Sequence, residues 1–254
     1  MALTNAPSRP AFASHSLQGR TRSHILILAA LLVTVPIGGP VQAELTGICA
    51  GPITADVKSI DPALHGPELG KWMIDGSGSP AHWLGEIYQG KAIREPINLV
   101  LVDAVSTSAH AATRRVVEAS MRAGYPIRMG HSSGYRASIG GQLYAQVPSG
   151  WDEAFSNHSF EGVNNHGRMF GPFQKERTYL FVGAFSREQV SLLHWPGHRY
   201  ASFNKARDEF ALRMDQETEF KIVGHISMQN AINDDPSVTT GDHDGRAVLL
   251  CAWQ

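Results

Sequence analysis

Cys49 and Cys251 are the only cysteines in a chain of 254 residues, and they stand near its two ends. If they are bonded, the last strand is clasped to the start of the domain and the fold has to return to where it began. Whether they bond depends on the compartment, and the amino terminus bears on that. Arg20 and Arg22 precede the uncharged run "ILILAALLVTVPI" at 25–37. Pro36, Gly38, Gly39 and Pro40 interrupt it, and "VQA" at 41–43 offers the small residues a signal peptidase reads. Basic, apolar, then small is the order of a secretory signal, here expected over residues 1–43 with cleavage after Ala43. The run falls short of the roughly 20 residues that cross a bilayer comfortably, so no stable membrane span is expected after cleavage; an uncleaved anchor is the alternative. There is no twin-arginine signal, and Ile48 in "TGIC" stands where a lipobox needs a small residue. An exported chain with one distant cysteine pair reads as disulfide-bonded and periplasmic or secreted. Closing so long a loop is worth roughly 5 kcal/mol in the chain-entropy account. The spacing excludes a CxxC redox motif or a cysteine zinc knuckle.

The formal charge of the whole chain is −1, and the signal would remove Arg9, Arg20 and Arg22 but no acidic residue. The mature chain is therefore acidic, which argues against a nucleic-acid partner. Residues 44–82 are rich in Gly, Pro and Asp and read as an irregular segment, with the domain proper at 83–254. "INLVLVD" (97–103) and "TYLFVGAFS" (178–186) are continuous apolar runs, hence buried strands. Ser106 or Ser108 can cap a helix that Gly124 stops, packed through Ala109, Ala112, Val116 and Val117, with His110 on its wet side. Residues 125–152 are Gly- and Ser-rich, part of a connection from 126 to 165. A second helix starts after Ser202. "EFKIVGHISM" (219–228) alternates, with Phe220, Ile222 and Ile226 inward and His225 outward. "DGRAVLLCAW" closes the chain with a turn and a last strand carrying Cys251. No internal repeat is visible. The expectation is a single α+β domain, a mixed sheet with a few packed helices.

The helix after Ser202 carries the sharpest physical inference. At 100° per residue, Phe203, Ala206, Phe210, Ala211 and Met214 share a face, and Arg207 projects into the middle of it. A guanidinium aimed at a core is costly unless paired. Arg207 is either an internal salt bridge or the floor of an anion pocket.

The order of motifs resembles the LssY carboxy-terminal domain family of bacterial envelope proteins. It rests on "EPINLVLVD" (95–103), "RAGY" (122–125), "NNHGRMF" (164–170) through His166, Arg168 and Phe170, "VGAFS" (182–186), and His198 leading into Asn204, Lys205, Ala206, Arg207 and Asp208. It spans residues 83–252. Asn165 replaces a histidine of the family's central string, and Asn204 and Ala206 stand where acidic residues are usual, so no site needing those carboxylates carries over. The resemblance implies an envelope location, in longer relatives sometimes beside membrane phosphatase domains, and brings no settled activity.

His166, Arg168, His198 and Arg207 flank the strand at 178–186, where short connections would gather them into a pocket for a phosphate- or carboxylate-bearing small molecule or envelope ligand. His166 and His198 are the candidate catalytic residues if there is chemistry, which would be hydrolysis. "GHSSG" (130–134) also satisfies the serine-hydrolase pattern with Ser132 as nucleophile, and Asp208 or Asp242 with His243 would complete the order. Its surroundings lack the strong strand, the following helix and an oxyanion segment. Asp242, His243 and Asp244 of "GDHDG", with His166 and His198, could hold a metal, but no spacing fixes a pair of ligands on one face, and Asp-rich turns recur for local reasons. The sequence calls for no cofactor and no metal. A non-enzymatic interaction domain, its His and Arg residues only knitting loops, is the remaining reading.

Overall fold

The structure is a computed structural model that describes Cys49, residues 66–190 and residues 197–253. The expected signal segment lies outside the described residues. In chain order the strands are β1 (His82–Tyr88), β2 (Lys91–Arg94), β3 (Leu99–Asp103), β4 (Ile127–Arg128), β5 (Arg136–Ile139), β6 (Gln142–Val147), β7 (Ala154–Ser156), β8 (Asn164–Lys175), β9 (Thr178–Val190), β10 (His198–Ser202), β11 (Lys221–Ser227), β12 (Val238–Thr239) and β13 (Arg246–Ala252). Helix α1 is Ala109–Arg122 and α2 is Phe203–Glu217.

β3 is buried at all five positions, and β13 from Ala247 onward. A strand buried on both faces belongs in the middle of a covered sheet. These two lie side by side in parallel, Leu99 opposite Val248 and Asp103 opposite Ala252. Every other pairing in the large sheet is antiparallel, giving the order β11-β13-β3-β9-β8-β6-β5. β9 is longer than the sheet is deep. Its first half pairs with β3 and its outer half, on the same edge, with β10. Small β7 joins β8, and β4 joins β7. A separate three-stranded sheet runs β1-β2-β12.

Both helices cover one face of the large sheet. The Ser108 hydroxyl accepts from the Ala111 amide at the start of α1, and Gly124, at φ +84°, ends it where a side chain would be strained. Ser202 caps α2 in the same way. Ala112, Val116 and Ala119 of α1 and Ala206, Phe210, Ala211 and Met214 of α2 pack on Leu99, Leu101, Phe181, Phe185 and Leu250. The opposite face holds Val100, Val102, Val182, Ile226, Leu249 and Cys251, packed against Leu69, Met73 and Ile139. The described residues form an α+β domain, a mixed sheet with two helices packed on it, as the sequence leads one to expect.

Residues 66–81 hold no helix or strand, as expected of an irregular segment, yet contribute Leu69, Met73 and Ala81 to the core and bridge to the domain at Leu69–Ile139, Trp72–Pro96 and Ile74–Arg136. Two local readings change. The Gly-rich stretch after Tyr125 contains the β5–β6 hairpin, whose turn uses Gly140 (φ +59°) and Gly141 (φ +76°) as a two-residue turn of positive φ requires. A bulge between Ile222 and Gly224 shifts the alternation in β11, so Ile222 is exposed and Val223 buried, while Phe220 and Ile226 stay inside. Cys49 and Cys251 form a disulfide with Cα atoms 5.5 Å apart, which fits an oxidising compartment.

Candidate functional site

"NNHGRMF" opens β8, and the period of two sorts its residues. Asn164, His166, Arg168 and Phe170 take one face, opposite Glu188, Ser186, Ala184 and Val182 of β9. Phe170, Val182 and Ala184 belong to the core, so Arg168, His166, Ser186, Asn164 and Glu188 extend that layer as a buried polar stripe. Asn165, Gly167 and Met169 take the face toward α2. There the Asn165 amide donates to Glu209 at 2.7 Å and to the Tyr125 hydroxyl at 3.2 Å. Gly167 lies against Phe185, whose ring a Cβ would meet at 2.4 Å.

Three further pieces close over the stripe. β10 brings His198 beside Glu188, Nδ1 to Oε2 at 3.4 Å. The loop after β4 lays the His131 ring on the His166 ring, centroids 4.6 Å apart and planes 27° apart. Trp83 of β1 donates its indole N–H to Ser186 Oγ at 3.1 Å, and that oxygen lies 3.4 Å from His166 Nε2. Asn164 ties two members together. Its amide donates to Glu188 Oε1 at 2.5 Å, and its Oδ1 lies 3.1 Å from His166 Nδ1.

Burial sets the protonation states. It lowers His131 to about 4, with Arg168 and His198 pushing the same way. It holds His166 well below the ordinary histidine range. His166 is therefore neutral, and its 3.8 Å approach to Glu188 is not an ion pair. Burial also raises Glu95 to about 7, against the pull of Arg168 and with the repulsion of Glu188. Glu188 is raised by burial too, opposed by the Asn164 hydrogen bond and the charge of His198.

Arg168 is 3 % exposed. It donates through Nη2 to the Ser132 carbonyl, and its guanidinium lies over the Tyr135 ring at 4.9 Å. Its Nε is buried without a hydrogen-bond partner, as are His131 Nε2 and His198 Nδ1. His131, His166 and Glu188, all buried, each offer a ligand atom within 4.8 Å of the others, and this is the group among the described residues that could hold a metal ion.

Of the expected pocket residues, His166, Arg168 and His198 come together and Arg207 does not join them. The Arg207 guanidinium donates to Asp244 Oδ1 at 2.7 Å and Oδ2 at 3.2 Å, to Asp208 at 2.7 Å and to the Arg246 carbonyl at 2.9 Å. It is the internal salt bridge of the two readings. The serine-hydrolase constellation does not assemble. Ser132 Oγ is held by the Tyr135 hydroxyl at 2.9 Å, and Asp208 is spent on Arg207. Asp242 accepts from the Ser202 and Tyr200 hydroxyls, and His243 meets Asn230 at 2.8 Å. The same bonds dissolve "GDHDG" as a metal site. What "GHSSG" contributes is its histidine.

His131, Glu188 and Glu95 were missed in sequence. His131 was hidden inside a motif read for its serine, and Glu188 lies beyond the expected end of its strand, at 186. Comparison with protein-family models, with curated proteins and with solved structures yields no significant match. Among the described residues no helix is long and apolar enough to cross a membrane.

Proposed function

We propose that this chain is an exported, periplasmic or secreted envelope domain of the LssY carboxy-terminal type that binds a phosphate- or carboxylate-bearing ligand between β8, β9, β10 and the loop 131–135. Arg168 is the fixed fork of that site, with His166 and His198 beside it. The observation that carries the reading is the incomplete use of Arg168: a buried guanidinium whose Nε has no partner and which has no ion pair among the described residues. Glu95 and Glu188 act on it only through space, without a contact pair, and a buried guanidinium left without close acceptors is costly, so a fold that needed it only for stability would have paired it directly. Arg207 shows how this domain treats a structural arginine, with two carboxylates and a carbonyl on one fork. The imidazoles of His166 and His198 beside Arg168 offer hydrogen-bonding nitrogens to an anion's oxygens, and the neutral His166 would act as the base if the ligand is hydrolysed. No geometry favours Ser132 as a nucleophile.

The test is a thermal-shift titration of the exported, disulfide-bonded protein with inorganic phosphate against chloride at matched ionic strength. Ligand at 100 times its dissociation constant adds roughly 2.7 kcal/mol to stability. The parent should be stabilised and Arg168→Met should not. A parent whose melting point phosphate leaves unmoved refutes the anion site.

A further inference from the structure

We propose that His131, His166 and Glu188 are the ligands of one divalent first-row transition-metal ion, and that the metal is what the proposed anionic ligand meets beside Arg168. The inference deepens the binding-site reading above and rests on it for the anion, though not for the metal.

The argument starts from the cost of the cluster. Two stacked imidazoles, a carboxylate and an arginine are buried together, with a third, half-buried imidazole beside them. Buried polar groups are retained when they are hydrogen-bonded or when they coordinate a metal. Here they are not fully hydrogen-bonded. His131 is 6 % exposed and its Nε2 has no partner. An imidazole nitrogen without a hydrogen-bond partner inside a protein is an unused lone pair or an unused donor, and a metal ion takes the first.

The donor set is the second step. Two neutral imidazoles and one carboxylate suit zinc and its first-row neighbours, and not calcium or magnesium, which take oxygen ligands. Three protein ligands leave an open coordination position, the arrangement of a reactive rather than a structural site. The three atoms lie within 4.8 Å of one another. Around an ion with bonds of about 2.1 Å, tetrahedral ligand atoms stand about 3.4 Å apart, so the cluster needs an inward adjustment on the order of 1 Å. The two imidazole donors come from different parts of the fold, a loop and a strand, and the loop is the part that can adjust.

The outer contacts are those that hold metal ligands in place. Asn164 touches both His166 Nδ1 and Glu188 Oε1, so one side chain orients two of the three ligands. His198 Nδ1 stands 3.4 Å from the other oxygen of Glu188 and steadies that carboxylate from behind. Arg168, held over Tyr135 and against the loop that carries His131, then offers its remaining donors to an anion bound at the open position. Metal and arginine together make a two-point grip on a phosphate or carboxylate, which neither makes alone.

The experiment is a Co2+ titration of the metal-stripped, exported and disulfide-bonded protein, read by visible absorption, followed by Zn2+ competition. Parent, His131→Ala, Glu188→Gln and His243→Gln are compared, with far-ultraviolet circular dichroism to confirm folding. One equivalent of Co2+ should give the intense visible bands of a low-coordinate site in the parent and in His243→Gln. Binding should weaken at least tenfold in His131→Ala and in Glu188→Gln, the latter of which keeps the shape of the carboxylate. Absence of bands in the parent, or unchanged affinity in both ligand variants, overturns the metal site. Repeating the phosphate titration with and without Zn2+ separates the two proposals. Phosphate binding that needs Arg168 but no metal leaves the anion site standing and removes the metal. Metal binding with no phosphate response does the reverse.

Discussion

Arg207 and Asp244 meet at two points, Nη1 to Oδ1 at 2.7 Å and Nη2 to Oδ2 at 3.2 Å, and the arginine side chain is 3 % exposed while the aspartate is 40 % exposed. This asymmetry decides what each deletion costs. Asp244→Ala strands a buried guanidinium with Asp208 and one carbonyl, and is expected to cost about 3 kcal/mol. Arg207→Met leaves an aspartate that can rehydrate and a side chain that fills the path of the old stem beside Phe210, so a loss of about 1 kcal/mol is expected. Urea unfolding of the two variants gives the comparison. Their phosphate response should match the parent's, because neither residue reaches the site around Arg168.

Gly167 sits between His166 and Arg168 because its partner strand leaves no room for anything larger. A Cβ there would lie 2.4 Å from the Phe185 ring and 2.6 Å from the Ala184 carbonyl oxygen, and the second of these is backbone that cannot swing away. Gly167→Ala is expected to cost about 1–3 kcal/mol and to displace the two neighbours that form the site. Gly162→Ala is the control, since its Cβ would meet only the Ser159 carbonyl, at 3.9 Å. A Gly167→Ala protein that melts with the parent would show that β8 and β9 are less tightly joined than the register implies.

The contrast between legible and illegible parts follows from the range of the interactions. β3, β9 and β13 were visible because burial on both faces forces an unbroken apolar run, and the helices because a cap and a 3.6-residue stripe are local. β8 carries no strand signal in sequence, since its inward face includes His166 and Arg168 among its apolar side chains. The β5–β6 hairpin reads as loop because its Ala, Ser and Tyr residues surround two glycines. In the site, the helical period showed that Arg207 points inward. Its counter-charge comes from Asp244, on the turn before β13, a pairing that only the tertiary structure discloses. His131 and Glu188 converge on His166 through strand register and a loop, and no spacing along the chain records that. Of His166, Arg168, His198 and Arg207, which the sequence groups around the 178–186 strand, the first three converge.

The disulfide joins residues 202 apart, and both cysteines are fully buried against the sheet. Cross-linking so long a loop restricts the unfolded chain by roughly 5 kcal/mol, an upper figure, and removing native disulfides from small secreted domains costs about 2–5 kcal/mol. The double variant Cys49→Ala/Cys251→Ala is expected to lose stability within that range and to leave the phosphate response intact at temperatures where it is folded. Parallel melting of the parent with and without reductant checks the assignment. Equal melting points in all three samples would mean that the clasp restrains nothing.

His243 gives a pH dependence that lies outside the proposed site. Burial lowers it from about 6.5 to about 4, with Arg207 pushing down and Asp244 and Asp242 pulling up, and its Nε2 meets Asn230 Oδ1 at 2.8 Å. Asn230 spends its amide on the carbonyls of Lys71 and Ile97, so its oxygen is free to accept and the ring N–H donates. The folded state therefore holds His243 neutral, while the unfolded chain lets it protonate near its ordinary value. Above pH 6.5 neither state binds the proton and the full stabilisation is present. As the pH falls from 6.5 toward 4 the unfolded state gains a proton that the folded state does not, and stability drops by about 1.4 kcal/mol per unit from this group alone. His131 and His166 add slopes of the same sign, while Glu95 and Glu188, raised by burial, add slopes of the opposite sign, so the parent's total slope is a balance and the comparison with a variant isolates His243. His243→Gln keeps a donor toward Asn230 and cannot titrate, so urea unfolding at several pH values between 4.5 and 7 should show it losing stability with about one proton fewer than the parent. Identical slopes would mean that His243 protonates as easily folded as unfolded, and that the polar link from the turn before β13 through Asn230 to the 66–81 segment opens to water.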